Sequence, residues 1–139
     1  DAFATQGITL LGELLHLKDV SVPVCAIGCE TDHIAAWKDS YRGVQGMGSS
    51  SKQFILSQSG HIAGIINPPS KKKYGHFINR NLTLSSDVWR ETAAFNSGSW
   101  WPTWTAWLNR RSGKKIAPRY FSQAELDNLS DAPGRYVRL

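Results

Sequence analysis

The feature that most constrains the fold is a run of eight residues, Val22 to Cys29, that is almost wholly apolar and is bounded by polar residues. A continuous apolar run of this length predicts a strand that is buried on both faces, as in a parallel sheet. Pro23 is compatible with that strand because it falls near its first residue. The run therefore favours a parallel sheet over a sheet with one solvent-exposed face.

The residues after this run complete a strand-helix-strand unit. Apolar residues from His33 to Val44 have helical spacing, and three glycines within residues 43–48 end the helix. Gln53 to Ser57 then forms a second short apolar strand. A strand, a helix and a strand within about forty residues predict parallel strands and an α/β fold.

The remaining elements are predicted from shorter sequence patterns, namely turn, capping and helix-end residues. Residues 8–17 predict a hairpin that turns near Gly12 and Glu13. A short helix is predicted from Asp87 to Phe95, with Ser85 or Ser86 as its cap, and a second helix has Pro102 in its first turn and ends at Arg110 and Arg111 before Gly113. The tail from Lys114 to Leu139 is predicted to lie along the surface.

The charge of the 139-residue chain is concentrated in its second half. The net charge is +5, and residues 71–139 hold twelve Lys or Arg against five Asp or Glu. Such a half can attract nucleic acid, an anionic cofactor or an anionic surface. Lys71, Lys72 and Lys73 share one loop, with Arg80 nearby, and no nucleic-acid-binding signature accompanies them. A solvated loop, or attraction of a phosphorylated cofactor, is therefore favoured over nucleic acid.

Two polar residues follow the ends of the two predicted strands. Asp32 follows the first strand and His61 follows the second. Open α/β sheets place ligands and catalytic loops at such strand ends, and α/β-hydrolase triads run nucleophile, acid, histidine along the chain. Asp32 and His61 match the last two members of that order, although a capping aspartate and an ordinary loop histidine would give the same spacing.

The same order requires an upstream nucleophile on a Gly-x-Ser/Cys-x-Gly turn. The chain contains no such pentapeptide. If Asp32 and His61 form an acid–base pair, the chain therefore lacks its nucleophile.

The two cysteines offer a different site. Cys25, Cys29 and His33 are spaced by four residues, which on a helix would allow zinc binding. On the predicted strand, the two cysteines lie about 13 Å apart, too far for a disulfide or a shared metal. Buried structural cysteines and no metal are therefore expected. No apolar run approaches the roughly 18 residues of a membrane span, so no transmembrane segment is expected either.

Four tryptophans recur at helical spacing near the C-terminus: Trp100, Trp101, Trp104 and Trp107. Most of this stripe is predicted to pack in the core. An exposed member would instead meet an apolar partner surface.

Four segments together resemble the polyhydroxyalkanoate synthases, which make poly-3-hydroxybutyrate and related polyesters. Ser59–Pro69 resembles that family's catalytic-histidine segment, and Glu30–Trp37 resembles its catalytic-aspartate segment. Gly98–Trp104 and Ala132–Val137 are similar to its C-terminal motifs. The resemblance covers essentially the whole chain, and the ending is most similar to the class I enzymes, which work without a separate partner subunit.

The resemblance implies that residues 1–139 are the C-terminal portion of an α/β-hydrolase fold, with the nucleophile-bearing N-terminal part absent. It implies a Cys-His-Asp triad in which His61 is the general base and Asp32 its partner. The family's cysteine attacks the thioester of a 3-hydroxyacyl-coenzyme A, releases coenzyme A and passes the acyl unit to a growing polyester. Cys25 and Cys29 do not match the nucleophile's motif. No cofactor is implied, since the coenzyme A thioester is the substrate.

The resemblance also implies partners and a location. We expect the chain to be inactive alone and to act in the cytoplasm, at the surface of a polyester granule. An open strand edge predicts self-association, as a homodimer or by strand exchange. The alternative is a non-catalytic binding segment for granules or for an intact synthase, and nucleic-acid binding is not expected.

Overall fold

The computed structural model describes residues 2–138 and contains two sheets with helices around them. The strands are β1 (Ile8–Leu10), β2 (Glu13–Leu15), β3 (Val24–Cys29), β4 (Lys52–Ser57), β5 (His76–Ile78) and β6 (Ala94–Asn96). The helices are α1 (Ala2–Thr5), α2 (Trp37–Gly46), α3 (Ser86–Glu91), α4 (Trp101–Asn109) and α5 (Gln123–Asp127).

The main sheet is mixed and has the strand order β3-β4-β5-β6. β3 and β4 are parallel and fully in register, from Val24 opposite Lys52 to Cys29 opposite Ser57. β5 and β6 each pair antiparallel to the preceding strand. The predicted β3-α2-β4 unit and the α/β class are therefore confirmed. The expectation of a parallel sheet with β3 buried on both faces is wrong, because β5 and β6 are antiparallel and β3 is an edge strand that is mostly half-buried.

The core is an aromatic cluster between α2, β4 and α3, which we call the aromatic core: Trp37, Tyr41, Phe54 and Trp89. Tyr41 and Trp89 each meet Phe54 in this cluster, at centroid distances of 5.3 and 5.5 Å and near-perpendicular angles. Such edge-to-face pairs stabilise beyond the area that they bury. Gly28 of β3 lets α2 approach this closely, because a Cβ there would lie 3.0 Å from Trp37 Cβ at the start of α2.

The predicted hairpin is confirmed as β1 and β2, with Leu10 opposite Glu13. Its turn residues are Leu11 and Gly12, whose φ angles are +50° and +87°. Two positive φ values are what a two-residue hairpin turn requires, and glycine adopts them without steric cost.

Two predicted helix boundaries are wrong. α2 begins at Trp37 rather than His33, because the Asp32 carboxylate accepts the N–H groups of Ile34 and Ala35 and holds them in a turn. The helix predicted from Asp87 to Phe95 ends at Glu91 with Ser85 as its N-cap. Residues 94–96 instead pair with β5 as β6, where Phe95 packs on Phe77 at 5.1 Å.

The C-terminal tail is largely exposed between residues 110 and 137. It contains one short helix that the sequence analysis did not predict, α5, whose start is marked by a capping box of Ser122 and Glu125. No helix among residues 2–138 is both long enough and apolar enough to cross a membrane.

Candidate functional site

The site lies at the edge where the parallel strands β3 and β4 both end. Cys29 and Ser57, the last residues of the two strands, are directly opposite each other. Beyond them the loops stay joined, since Glu30 N–H donates to Ser57 O at 2.8 Å and Thr31 N–H donates to Ser59 O at 3.1 Å. The chain segments that carry Asp32 and His61 are therefore adjacent.

Asp32 and His61 form a direct hydrogen bond, with 2.8 Å between His61 Nδ1 and Asp32 Oδ2. The Asp32 side chain is 6% exposed and the His61 side chain is 46% exposed. An ionised carboxylate can only accept, so Nδ1 carries the proton of this bond. In the neutral imidazole, Nε2 then has the free lone pair of a general base.

Local backbone donors hold the Asp32 carboxylate ionised. The Ala35 N–H and the His61 ring lower the pKa of Asp32 from its usual 3.8 to about 2, and the Ile34 N–H contributes further. The two N–H groups reach Oδ1 at 2.8 Å for Ile34 and 3.0 Å for Ala35. Asp32 Oδ2 is left to orient His61, which is the function of the carboxylate in a nucleophile-histidine-acid triad.

Both cysteines lie on β3 as predicted and are free thiols. Burial raises the pKa of Cys25 to about 11. Burial and the nearby Asp32 charge raise the pKa of Cys29 as well. Because the thiolate is the nucleophile, neither cysteine is activated at neutral pH. Within residues 2–138, no group of three or more His, Cys, Asp or Glu side chains is arranged to hold a metal ion.

The four tryptophans of the C-terminal stripe differ in their environments. Of the four, Trp100 is buried and its ring meets Trp101 and Trp104 at about 6 Å, but Trp101 and Trp107 are half-buried and Trp104 is exposed. The prediction that most of the stripe packs in the core is therefore wrong. In addition, the indole N–H groups of Trp100 and Trp101 donate to the backbone of the segment that carries His61. Sequence analysis missed these bonds because their acceptors lie 36 residues upstream.

His76 on β5 is buried, and the sequence did not predict a role for it. Its Nδ1 lies 3.0 Å from Gly98 O and its Nε2 lies 3.0 Å from Thr103 Oγ1. These bonds join β5 to the start of α4. His76 therefore has a structural role, and no motif in the sequence distinguishes it.

Two of the three loop lysines lie beside the His61 segment. A cavity of about 450 Å³ is lined by Ile62, Ala63, Ile66, Asn67, Lys71, Lys73 and Tyr74. Both lysines are exposed to solvent. Positive charge is thus located next to the residues that follow His61.

Known proteins with similar sequences are named poly(3-hydroxyalkanoate) polymerases. No family model matches the chain. The chain is 39% identical over 132 residues to the poly(3-hydroxyalkanoate) polymerase subunit PhaC of Cupriavidus necator, covering 94% of this chain and 22% of that protein. It is 35% identical over 137 residues to the subunit PhaC of Rhizobium etli, covering 99% of this chain and 21% of that protein.

A third relative is poly(3-hydroxyalkanoate) polymerase 2 of Ectopseudomonas oleovorans, with 36% identity over 132 residues. That match covers 94% of this chain and 23% of the relative. The chain thus spans about a fifth of the length of the curated relatives it matches, and it corresponds to their C-terminal part.

The lowered pKa of Asp32 predicts a pH dependence of folding. A carboxyl whose pKa falls from 3.8 to about 2 on folding stabilises the fold above pH 4 and loses that contribution as pH falls through 2. The free energy of unfolding should therefore fall more steeply between pH 4 and pH 2 in the wild-type chain than in Asp32→Asn. Urea denaturation at each pH measures this difference.

The matched control is Asp39→Asn. Asp39 forms an exposed ion pair with Arg42, and such pairs contribute little. This variant should follow the wild-type pH dependence. Parallel curves for wild type and Asp32→Asn would contradict the prediction.

Proposed function

The chain belongs to the poly(3-hydroxyalkanoate) polymerase family, and we propose that it forms the acid–base half of a polymerase active site. The supporting observation is the 2.8 Å bond between Asp32 and His61 at the common end of β3 and β4. The reaction is the polymerisation of 3-hydroxyacyl-coenzyme A into polyester with release of coenzyme A. The mixed sheet is then the C-terminal portion of an α/β-hydrolase fold.

In the first half-reaction, His61 Nε2 takes the proton of a cysteine thiol that the longer polymerase supplies. The thiolate attacks the thioester carbonyl carbon, the bond from that carbon to the coenzyme A sulfur breaks, and the leaving sulfur takes up the proton. Asp32 keeps the proton on Nδ1 and stabilises the imidazolium that forms. The product is an acyl-cysteine.

In the second half-reaction, His61 takes a proton from the hydroxyl at the end of the growing chain. The resulting oxygen nucleophile attacks the acyl-cysteine, an ester bond forms, and the cysteine leaves as a thiol after reprotonation. One histidine therefore serves both steps, because Asp32 holds it in one tautomer throughout.

The charge beside the site suits this substrate. Coenzyme A carries phosphate groups, and Lys71 and Lys73 line the cavity next to the His61 segment. Their charge raises the local concentration of an anionic substrate without a specific phosphate pocket. No separate cofactor is required, since the coenzyme A thioester is itself consumed.

The isolated chain should be inactive toward 3-hydroxybutyryl-coenzyme A. Within residues 2–138, no serine or cysteine side chain is hydrogen-bonded to His61, and both cysteine thiols have raised pKa values. Chromatographic quantification of free coenzyme A should give the same rate with and without the chain. Robust release by the chain alone would contradict the absence of a nucleophile.

In the full-length polymerase, His61→Gln should lower kcat by about 10⁴-fold, because the substitution removes the base for both half-reactions. The matched control is His33→Gln, which alters an exposed histidine next to Asp32 and should leave kcat unchanged. Coenzyme A release and polymer yield provide two measurements. Near-wild-type activity of His61→Gln would remove His61 from the triad.

We propose attachment to polyester granules in the cytoplasm as a second candidate function. The tail carries apolar side chains in solvent, with Ile116 at 90% and Tyr120 at 83% exposure. Exposed apolar groups favour contact with an apolar surface.

We also propose that the isolated chain self-associates through the outer edge of β3. This edge has no strand partner among residues 2–138.

Granule attachment predicts that the isolated chain co-sediments with polyester granules. The paired substitution Ile116→Ser and Tyr120→Ser should lower the bound fraction by about tenfold, since the apolar contact is lost. Val22→Ser, an exposed apolar residue outside the tail, serves as the control and should bind as wild type. Equal binding of all three proteins would contradict a role for the tail.

A further inference from the structure

The segment that carries His61 contains no regular helix or strand. Residues 59–67 form consecutive turns after β4, and Ser59 has a φ of +76°. His61 itself is bonded to Asp32 by one ring nitrogen. The direction of the other ring nitrogen therefore depends on how firmly the backbone of this segment is held.

Three side-chain donors converge on two adjacent carbonyls of the segment. Ser57 Oγ donates to Gly64 O at 2.8 Å, and Trp100 Nε1 donates to the same oxygen at 2.9 Å. Trp101 Nε1 donates to Ile65 O at 3.0 Å. Both lone pairs of the Gly64 carbonyl are thus occupied. We call these three bonds the carbonyl clamp.

The clamp reaches His61 through a tight turn. Gly64 N–H donates to Gly60 O at 2.8 Å, so the clamped residue is bonded to the residue immediately before His61. Gly64 is also pressed against β3, because a Cβ there would lie 2.5 Å from Cys29 Sγ. A shift of Gly64 would therefore displace His61 relative to Asp32.

The two tryptophans are themselves well anchored. Trp100 is 8% exposed, and the backbone N–H of Trp101 donates to Ser99 Oγ at 3.1 Å. The start of α4 is bonded to the sheet, since His76 of β5 bonds to Gly98 O and to Thr103 Oγ1. The carbonyl clamp thus holds the segment that carries His61 in a fixed position relative to the sheet.

From these contacts we infer that Trp100 and Trp101 are positioning residues for the base His61. This inference rests on the proposed function and assigns the tryptophan pair a role beyond packing. The indole N–H groups fix the backbone from Gly60 to Ile65, so that His61 Nε2 faces the reacting proton in both half-reactions. Removing an N–H, with the ring retained, should slow the chemical step and leave substrate binding unchanged.

The test uses the full-length polymerase with Trp100→Phe and Trp101→Phe, separately and together. Each substitution keeps an aromatic ring and deletes one donor. We expect kcat to fall about fivefold for each single variant and about 25-fold for the pair, because small displacements of a reacting group have large kinetic effects. KM for the coenzyme A thioester should stay within about twofold, since the deleted bonds do not touch substrate.

Trp104→Phe is the matched control. Trp104 lies on the same helix and packs on Trp100 at 6.2 Å. Its indole N–H makes no hydrogen bond within residues 2–138. Its kcat and KM should equal those of the wild type, and an equal loss in this variant would overturn the inference in favour of general packing.

A second measurement separates positioning from folding. In a His61→Gln background, Trp101→Phe should cause no further loss of the residual rate, because no base remains to be positioned. An undiminished loss in that background, or an unchanged kcat in both single variants, would overturn the inference. Substantial activity of His61→Gln itself would instead reject the proposed function on which the inference rests.

Discussion

The site depends on the parallel pairing of β3 with β4. The two strands run in register to Cys29 opposite Ser57, so their carboxyl ends coincide. Because side chains alternate along a strand, a slip of one residue would replace Phe54 in the aromatic core by Gln53 or Ile55. The packing of Phe54 in that core therefore opposes such a slip. A 29-residue separation in sequence thus becomes the 2.8 Å contact between Asp32 and His61.

The charge state of the pair follows from its position after the strands. Asp32 is shielded from solvent, yet its pKa is lowered, because the Ala35 and Ile34 N–H groups and His61 all favour the ionised form. Hydrogen bonding therefore outweighs the desolvation that would raise the pKa. The same turn delays the start of α2 to Trp37. One local motif thus explains both the orientation of His61 and a helix boundary.

In the function that we propose, the chain carries half of a reaction centre, and the rest of a longer polymerase supplies the other half. The chain spans about a fifth of the length of the curated relatives, and the match lies in their C-terminal part. In that proposal Asp32 orients His61 and His61 transfers the protons. Trp100 and Trp101, at the start of α4, bond to the segment that carries His61, and His76 bonds the start of α4 to the sheet. The aromatic core lies on α2, β4 and α3, so it is formed entirely from residues of this chain.

The sequence by itself determined the elements with continuous or periodic apolar patterns. These are β3, β4, the main part of α2 and the hairpin, and with them the two strand ends that bear Asp32 and His61. Tertiary structure alone decided β5 and β6, because each of these short strands pairs with a strand that is distant in sequence, whereas β1 and β2 pair across a two-residue turn. It also decided the partners of Trp100 and His76, because a sequence shows the donors but not the distant carbonyls that accept from them.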